Sequence, residues 1–158
     1  LKLNLGRVEI PENIDNNQMD LLKQTLALSG LELLDDKKMI IVENIKTIII
    51  ELVHYTDEMP KITYSDYISE KLNFDYTYLS NVFSEVKGTT IQQYIIVNKI
   101  ERVKELLLYD ELNLTKIAFL LNYSSVAHLS NQFKKVTGIS PSVFKRAKKN
   151  RSVNLENI

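Results

Sequence analysis

Leu-Ser-Asn stands at 79–81 and again at 129–131, and in both places Phe, Val and Gly follow at the same intervals, at 83, 86 and 88 and at 133, 136 and 138. Around the first copy lie Asp75, Tyr76, Thr77, Tyr78, Ser80 and Asn81; around the second lie Ser124, Ser125, Val126, Ala127, His128 and Asn131. These side chains suit recognition better than catalysis. An Asn amide sets a donor beside an acceptor and can bond bidentately to adenine. A Thr or Val methyl fits against the thymine methyl, and Tyr and Ser hydroxyls suit phosphate oxygens. No glycine-rich phosphate loop and no nucleophile motif is present, so no enzyme is expected.

Such side chains need a scaffold that leaves them outside, and the repeat supplies one. Ile68 and Ile117 occupy matching places, as do the small residues Ser69 and Ala118. Leu72-Asn73-Phe74 matches Leu121-Asn122-Tyr123, after which the second copy carries one extra residue. Each copy reads as helix, tight turn, helix, and the small residue lets the helices cross closely, which is a helix-turn-helix. Leu79, Phe83 and Val86 form the expected buried stripe of one second helix, and Leu129, Phe133 and Val136 that of the other. Thr63, Asp75, Thr89 or Thr90, Asn113, Ser124 or Ser125, and Ser140 are the expected N-caps, Asn73 and Asn122 the turns, and Gly88 and Gly138 the helix stops. A long helix over 90–109 joins the copies, at about 1.5 Å per residue roughly 30 Å, close to the ~34 Å between successive major-groove faces. The two copies are thereby expected to read adjacent segments of one duplex.

Charge agrees with that division. Residues 1–60 hold six Lys/Arg against eleven Asp/Glu, and residues 61–158 hold fourteen against nine, so halves of −5 and +5 give a net charge of zero. Seven bases and no acid lie between Lys134 and Arg151. A basic half predicts an anionic partner. Cysteine is absent, so neither a disulfide framework nor a thiolate metal site is possible. No apolar run is long enough for a membrane span, no signal peptide is expected, and a cytoplasmic location follows. The opening Leu1 in place of Met predicts a piece of a longer protein.

Ahead of the repeat, alternation over 1–10 predicts a strand, 17–29 a helix closed by Gly30, 31–34 a second strand, Asp35-Asp36 a turn, and 37–55 a helix with Ile41, Ile45, Ile48 and Leu52 on one stripe. The charge change and proline in "DEMPK", 57–61, mark the expected boundary. The expected organisation is a small, truncated α+β unit over 1–58 that regulates or dimerises, a helical domain over 59–150, and a flexible tail over 151–158.

Residues 62–149 resemble the DNA-binding domain of the AraC/XylS family of transcription regulators, on "NKIERVKELL" (98–107), "LTKIAFLLNYSSVAHLSNQFKKVTGISP" (114–141) and "YLSNVFSEVKGTT" (78–90). Residues 1–58 resemble the later part of a ferredoxin-like, heavy-metal-associated domain without its Cys-x-x-Cys motif, and no metal and no cofactor is expected. The first resemblance implies a mainly α fold, two helix-turn-helix units joined by a long helix, with double-stranded DNA as partner. Base contacts are implied for Tyr76, Thr77, Ser80, Asn81, Val126, Ala127, Ser130 and Asn131. From the residue reading Tyr78, Ser125 and His128 are further expected DNA contacts, suited to phosphate, with Lys134, Lys135 and Lys145 on phosphates and Arg146 beside them on the DNA. RNA polymerase and a second copy paired through residues 1–58 are further expected partners. The competing reading is a protein-interaction or dimerisation module with weak, non-specific DNA binding.

Overall fold

The computed structural model describes residues 2–4, 7–9, 13–33, 36–57, 60–109 and 112–156. The chain divides into two compact units, Leu1–Asp35 and Asp36–Ile158.

In the first unit, β1 (Lys2–Asn4) and β2 (Arg7–Glu9) pair antiparallel, with Leu3 opposite Val8. Helix α1 (Asn16–Leu28) opens on a capping box: the Asp15 carboxylate accepts from the Gln18 N–H at 2.7 Å, and the Gln18 side chain accepts from the Asp15 N–H at 3.1 Å. It closes with the Gly30 N–H on the Ala27 carbonyl and the Leu31 N–H on the Leu26 carbonyl, Gly30 taking φ +71°. The expected ferredoxin-like α+β unit does not form. The run over 1–10 holds two short strands where one was expected, and residues 31–33 form no strand. The helix closure explains the second difference, because it takes the Leu31 N–H that a sheet ladder would need. Asp36 starts a helix, and Leu34 and Asp35 lie outside the described residues.

Among its described residues the second unit has helices as its only regular elements: α2 (Asp36–Ile50), running on as a π-helical turn over Glu51–Tyr55, then α3 (Tyr64–Leu72), α4 (Tyr76–Lys87), α5 (Ile91–Leu108), α6 (Leu114–Leu120), α7 (Val126–Thr137) and α8 (Pro141–Glu156). Thr63, Asp75, Thr90, Asn113 and Ser125 each cap a helix through a side-chain oxygen. Asn73 and Asn122 take the left-handed conformation at φ 55° and 56°, which an Asn side chain tolerates in a tight turn.

Two cores lie along α5. The first gathers Ile41, Val42, Ile45, Ile49 and Val53 with Ile68, Leu79, Val82, Phe83, Ile91 and Ile95. The second gathers Ile100, Val103, Leu106 and Leu107 with Ile117, Ala118, Leu121, Tyr123, Leu129 and Phe133. The repeat runs further than its short motif: Phe83 meets Tyr94 edge-on at 5.5 Å, and Phe133 meets Phe144 likewise at 5.6 Å. Val136, expected in the buried stripe, is 40% exposed.

Helix α2 shares the first core, so the boundary expected at 57–61 falls inside the second unit. Its charge change and proline mark a loop between packed helices. Helix α8 also continues to Glu156, through most of the tail expected to be flexible, and no Gly or Pro over 142–156 interrupts it. Asn157 and Ile158 lie outside the described residues.

Because α2 fills the first core, Ile45→Ala should cost about 2–5 kcal/mol in urea unfolding. A chain starting at residue 36 should retain a cooperative transition, and one starting at 59 should lose the transition of its first half. Equal stability of the two shortened chains would exclude α2 from the fold.

Candidate functional site

Helix α4 turns Leu79, Val82 and Phe83 inward and leaves Thr77, Tyr78 and Asn81 exposed, with Tyr76 and Ser80 half-buried. The Asp75 carboxylate accepts from the Thr77 N–H at 3.1 Å, so this acid is committed to capping. Tyr76 packs against the first core, and burial raises its hydroxyl pKa above the ordinary value. Tyr78 lies beside Phe74, ring centres 5.4 Å apart, and both rings are 44% exposed. Phe74, just ahead of the Asp75 cap, is an exposed aromatic that enters the sequence pattern only as the counterpart of Tyr123.

Helix α7 repeats the arrangement. Leu129 and Phe133 face the second core, while Ala127, His128, Asn131, Lys134 and Lys135 are exposed. Val126 packs partly against that core and Ser130 is half-buried. The Ser125 hydroxyl accepts from the His128 N–H at 3.0 Å. The His128 ring is held as well, its Nδ1 3.0 Å from the Ser124 hydroxyl and its ring edge-on to Tyr123 at 5.3 Å. On α8, Lys145 is half-buried and Arg146 exposed. Of the expected side chains, Thr77, Tyr78, Asn81, Ser125, Ala127, His128, Asn131, Lys134, Lys135 and Arg146 are exposed, while Tyr76, Ser80, Val126, Ser130 and Lys145 are partly buried. Among the described residues no cluster of His, Cys, Asp or Glu gathers as a metal site, and no helix is long and apolar enough to cross a membrane.

One group was not anticipated. The Lys99 ammonium, midway along α5, lies 5.3 Å from the ring centre of Tyr64 and 4.8 Å from that of Tyr123. Tyr64 begins α3, and Tyr123 lies in the turn between α6 and α7. The Tyr123 hydroxyl donates to the Gln132 side chain on α7 at 2.7 Å. Burial lowers the Lys99 pKa to about 8 and raises that of Tyr123 to about 12. Burial, and then the neighbouring Tyr123, raise the Tyr64 hydroxyl further. A signal was present in the sequence: Lys99 sits four residues after Ile95 and four before Val103, on a stripe both of them bury.

Two helix-turn-helix units on one continuous helix define the class: double helix-turn-helix proteins with two outward second helices. A helix-turn-helix domain family matches residues 68–147. The Msm operon regulatory protein of Streptococcus mutans is 29% identical over 100 residues, covering 58% of this chain and 36% of that protein. The HTH-type transcriptional regulator YtdP of Bacillus subtilis is 27% identical over 107 residues, covering 68% of this chain and 14% of that one. The chain thus spans about a third and a seventh of these relatives' lengths. The solved C-terminal domain of the two-component response regulator yesN from Fusobacterium nucleatum is 34% identical, with a TM-score of 0.55, covering 65% of this chain and 95% of that domain. The chain belongs to the AraC-type helix-turn-helix family.

The Lys99 environment has a signed pH consequence. Its folded pKa of about 8 lies below the ordinary 10.5, so between these values the unfolded chain binds more protons. Its stability contribution is present above that window and is lost as pH falls through about 8. The raised tyrosines act oppositely, but only above their ordinary value of 10.0. The unfolding free energy of the wild type minus that of Lys99→Met should therefore rise from about pH 8 to pH 10. A flat difference would show that Lys99 is not desolvated in the fold.

Proposed function

We propose that the chain is a sequence-specific, double-stranded-DNA-binding regulator of transcription whose α4 and α7 read successive major-groove segments. The carrying observation is that one reader-shaped unit is built twice on a single helix. The 18 residues of α5 span roughly 27 Å, near the ~34 Å repeat of the groove. Membership of the AraC-type family, and the regulatory names of the relatives, support this reading.

On this reading Tyr76, Thr77, Tyr78, Ser80 and Asn81 form the first reader, and Ser125, Val126, Ala127, His128, Ser130 and Asn131 the second. Lys134, Lys135, Lys145 and Arg146 lie along phosphates. The protein is no enzyme, works in the cytoplasm, and acts on transcription through RNA polymerase.

Selection of preferred duplexes from a random DNA pool at near-physiological salt tests the proposal. Two enriched blocks one helical turn apart are expected, and salt-sensitive binding with no enriched block would reject sequence-specific reading. Asn131→Ala should cost about 1–3 kcal/mol on the best site, with little effect on unrelated duplexes. Lys135→Ala should weaken all duplexes alike and lower the slope of log affinity against log salt by about one; a loss confined to one sequence would contradict the phosphate role.

A second reading, pairing of two chains through residues 1–58, has in its favour the exposure of Leu21, Leu28 and Leu31 on and just after α1. Sedimentation at high micromolar concentration decides it, and a monomer would remove it.

A further inference from the structure

We infer that Lys99 is a positioning residue that clamps the two helix-turn-helix units to each other and so fixes the angle between α4 and α7. The inference rests on the DNA-reading proposal for its functional meaning, and on geometry alone for the clamp.

Each unit grips its own half of α5 through aliphatic and aromatic side chains: Ile91 and Ile95 on one side, Ile100, Val103, Leu106 and Leu107 on the other. Apolar contact is strong but non-directional, and it constrains separation better than rotation about the helix axis. Lys99 sits at the seam between these two sets and touches a ring from each unit. A cation over a ring face is held by the ring quadrupole, more strongly where water is excluded. Both rings are themselves anchored. Tyr64 packs against the first core, which also holds the inner face of α4. Tyr123 is buried in the second core, and its hydroxyl is bonded to Gln132 of α7. A continuous path therefore runs from α4 through the first core to Tyr64, Lys99, Tyr123 and Gln132 on α7. With its pKa near 8 the amine remains mostly cationic at neutral pH, so the interaction survives the burial that weakens the charge.

A second link near the seam is of a different kind. His54, in the turn that ends α2, lies 3.6 Å from Glu105, which also pairs with Arg102 at 2.9 Å. The Glu105 side chain is 49% exposed, and salt screens such a pair. The ring-clamped lysine is the more rigid joint.

The test uses the full chain, whose lack of cysteine allows clean labelling. Spin labels on Glu70→Cys and Phe119→Cys, exposed on α3 and α6, report the distance between units without DNA. The wild-type background should give one narrow distance distribution, Lys99→Met a broader one, and Lys99→Arg, which keeps a cation over the rings, a narrow one again. On DNA, the probe is the two-block duplex from the random-pool selection, compared with the same duplex carrying one base pair inserted between blocks. The insertion turns the second block by about 34°. Lys99→Met should narrow the preference for the correct spacing by about three- to tenfold, leave affinity for a single block unchanged, and be rescued by Lys99→Arg. A Lys99→Met chain with the wild-type distance distribution and spacing preference overturns the clamp. A broadened distribution with no two-block preference in the wild type supports the clamp and overturns the two-segment reading.

Discussion

The second unit depends on α5 being one unbroken helix that two cores share. Thr90 caps its start through the Gln93 N–H at 3.0 Å, and no Gly or Pro interrupts Ile91–Leu108. Intrinsic propensity is divided along this helix. Gln92, Gln93, Lys99 and the stretch 101–108 are mostly good helix formers, whereas Ile91, Ile95, Ile96, Val97, Ile100 and Val103 are β-branched and lose χ1 freedom, so burial must hold the β-branched half. Of these, Ile91, Ile100 and Val103 are fully buried. The two cores hold the strut as one continuous helix, and the strut in turn sets how far apart their outer faces lie.

The two units reach one geometry by partly different chemistry. Asp75 caps α4 and Ser125 caps α7; Tyr94 meets Phe83 where Phe144 meets Phe133. They diverge in charge. The end of α7 carries exposed Lys134 and Lys135, and basic α8 packs on α5 and α7. Helix α4 carries Glu85, tied to Lys38 of α2 at 3.0 Å. On the DNA reading, the long-range attraction belongs mostly to the second unit, while the first, with exposed Phe74, Tyr78 and Asn81, contributes contact at short range.

Legibility followed locality. Caps, left-handed turns and helix stops are decided within a few residues, and Thr63, Asn73, Asp75, Gly88, Asn113, Asn122 and Gly138 do what their types predict. The helix-turn-helix units were legible because the same apolar spacing occurs twice. What failed depended on partners distant in sequence. A run of four apolar or acidic residues at 31–34 satisfies the strand pattern equally well whether or not a sheet exists to receive it. The stripe on α2 was visible, but nothing local says that Ile45 and Ile49 pack beside Phe83. The charge change at 57–61 therefore has the local pattern of a domain boundary, although it lies in a loop between helices of one unit. The outer faces of α4 and α7 were legible as faces. The partial burial of Tyr76 and Val126 was not, because it depends on how each core closes.

Lys99 shows why a charge can occupy an apolar stripe. A leucine there would bury its side chain at no electrostatic cost, whereas the ammonium is desolvated enough to fall to a pKa of about 8. What the ammonium adds is direction. Apolar burial depends on area more than on direction, but a cation between ring faces loses its interaction as either ring turns away. A seam made only of Ile95, Ile100 and Val103 would hold two units together while tolerating several angles between them. Placing Lys99 between Tyr64 and Tyr123 trades some stability for one preferred angle. That exchange is favourable where two surfaces must meet a rigid partner in register, because angular freedom retained in the free chain is lost on binding and weakens the complex.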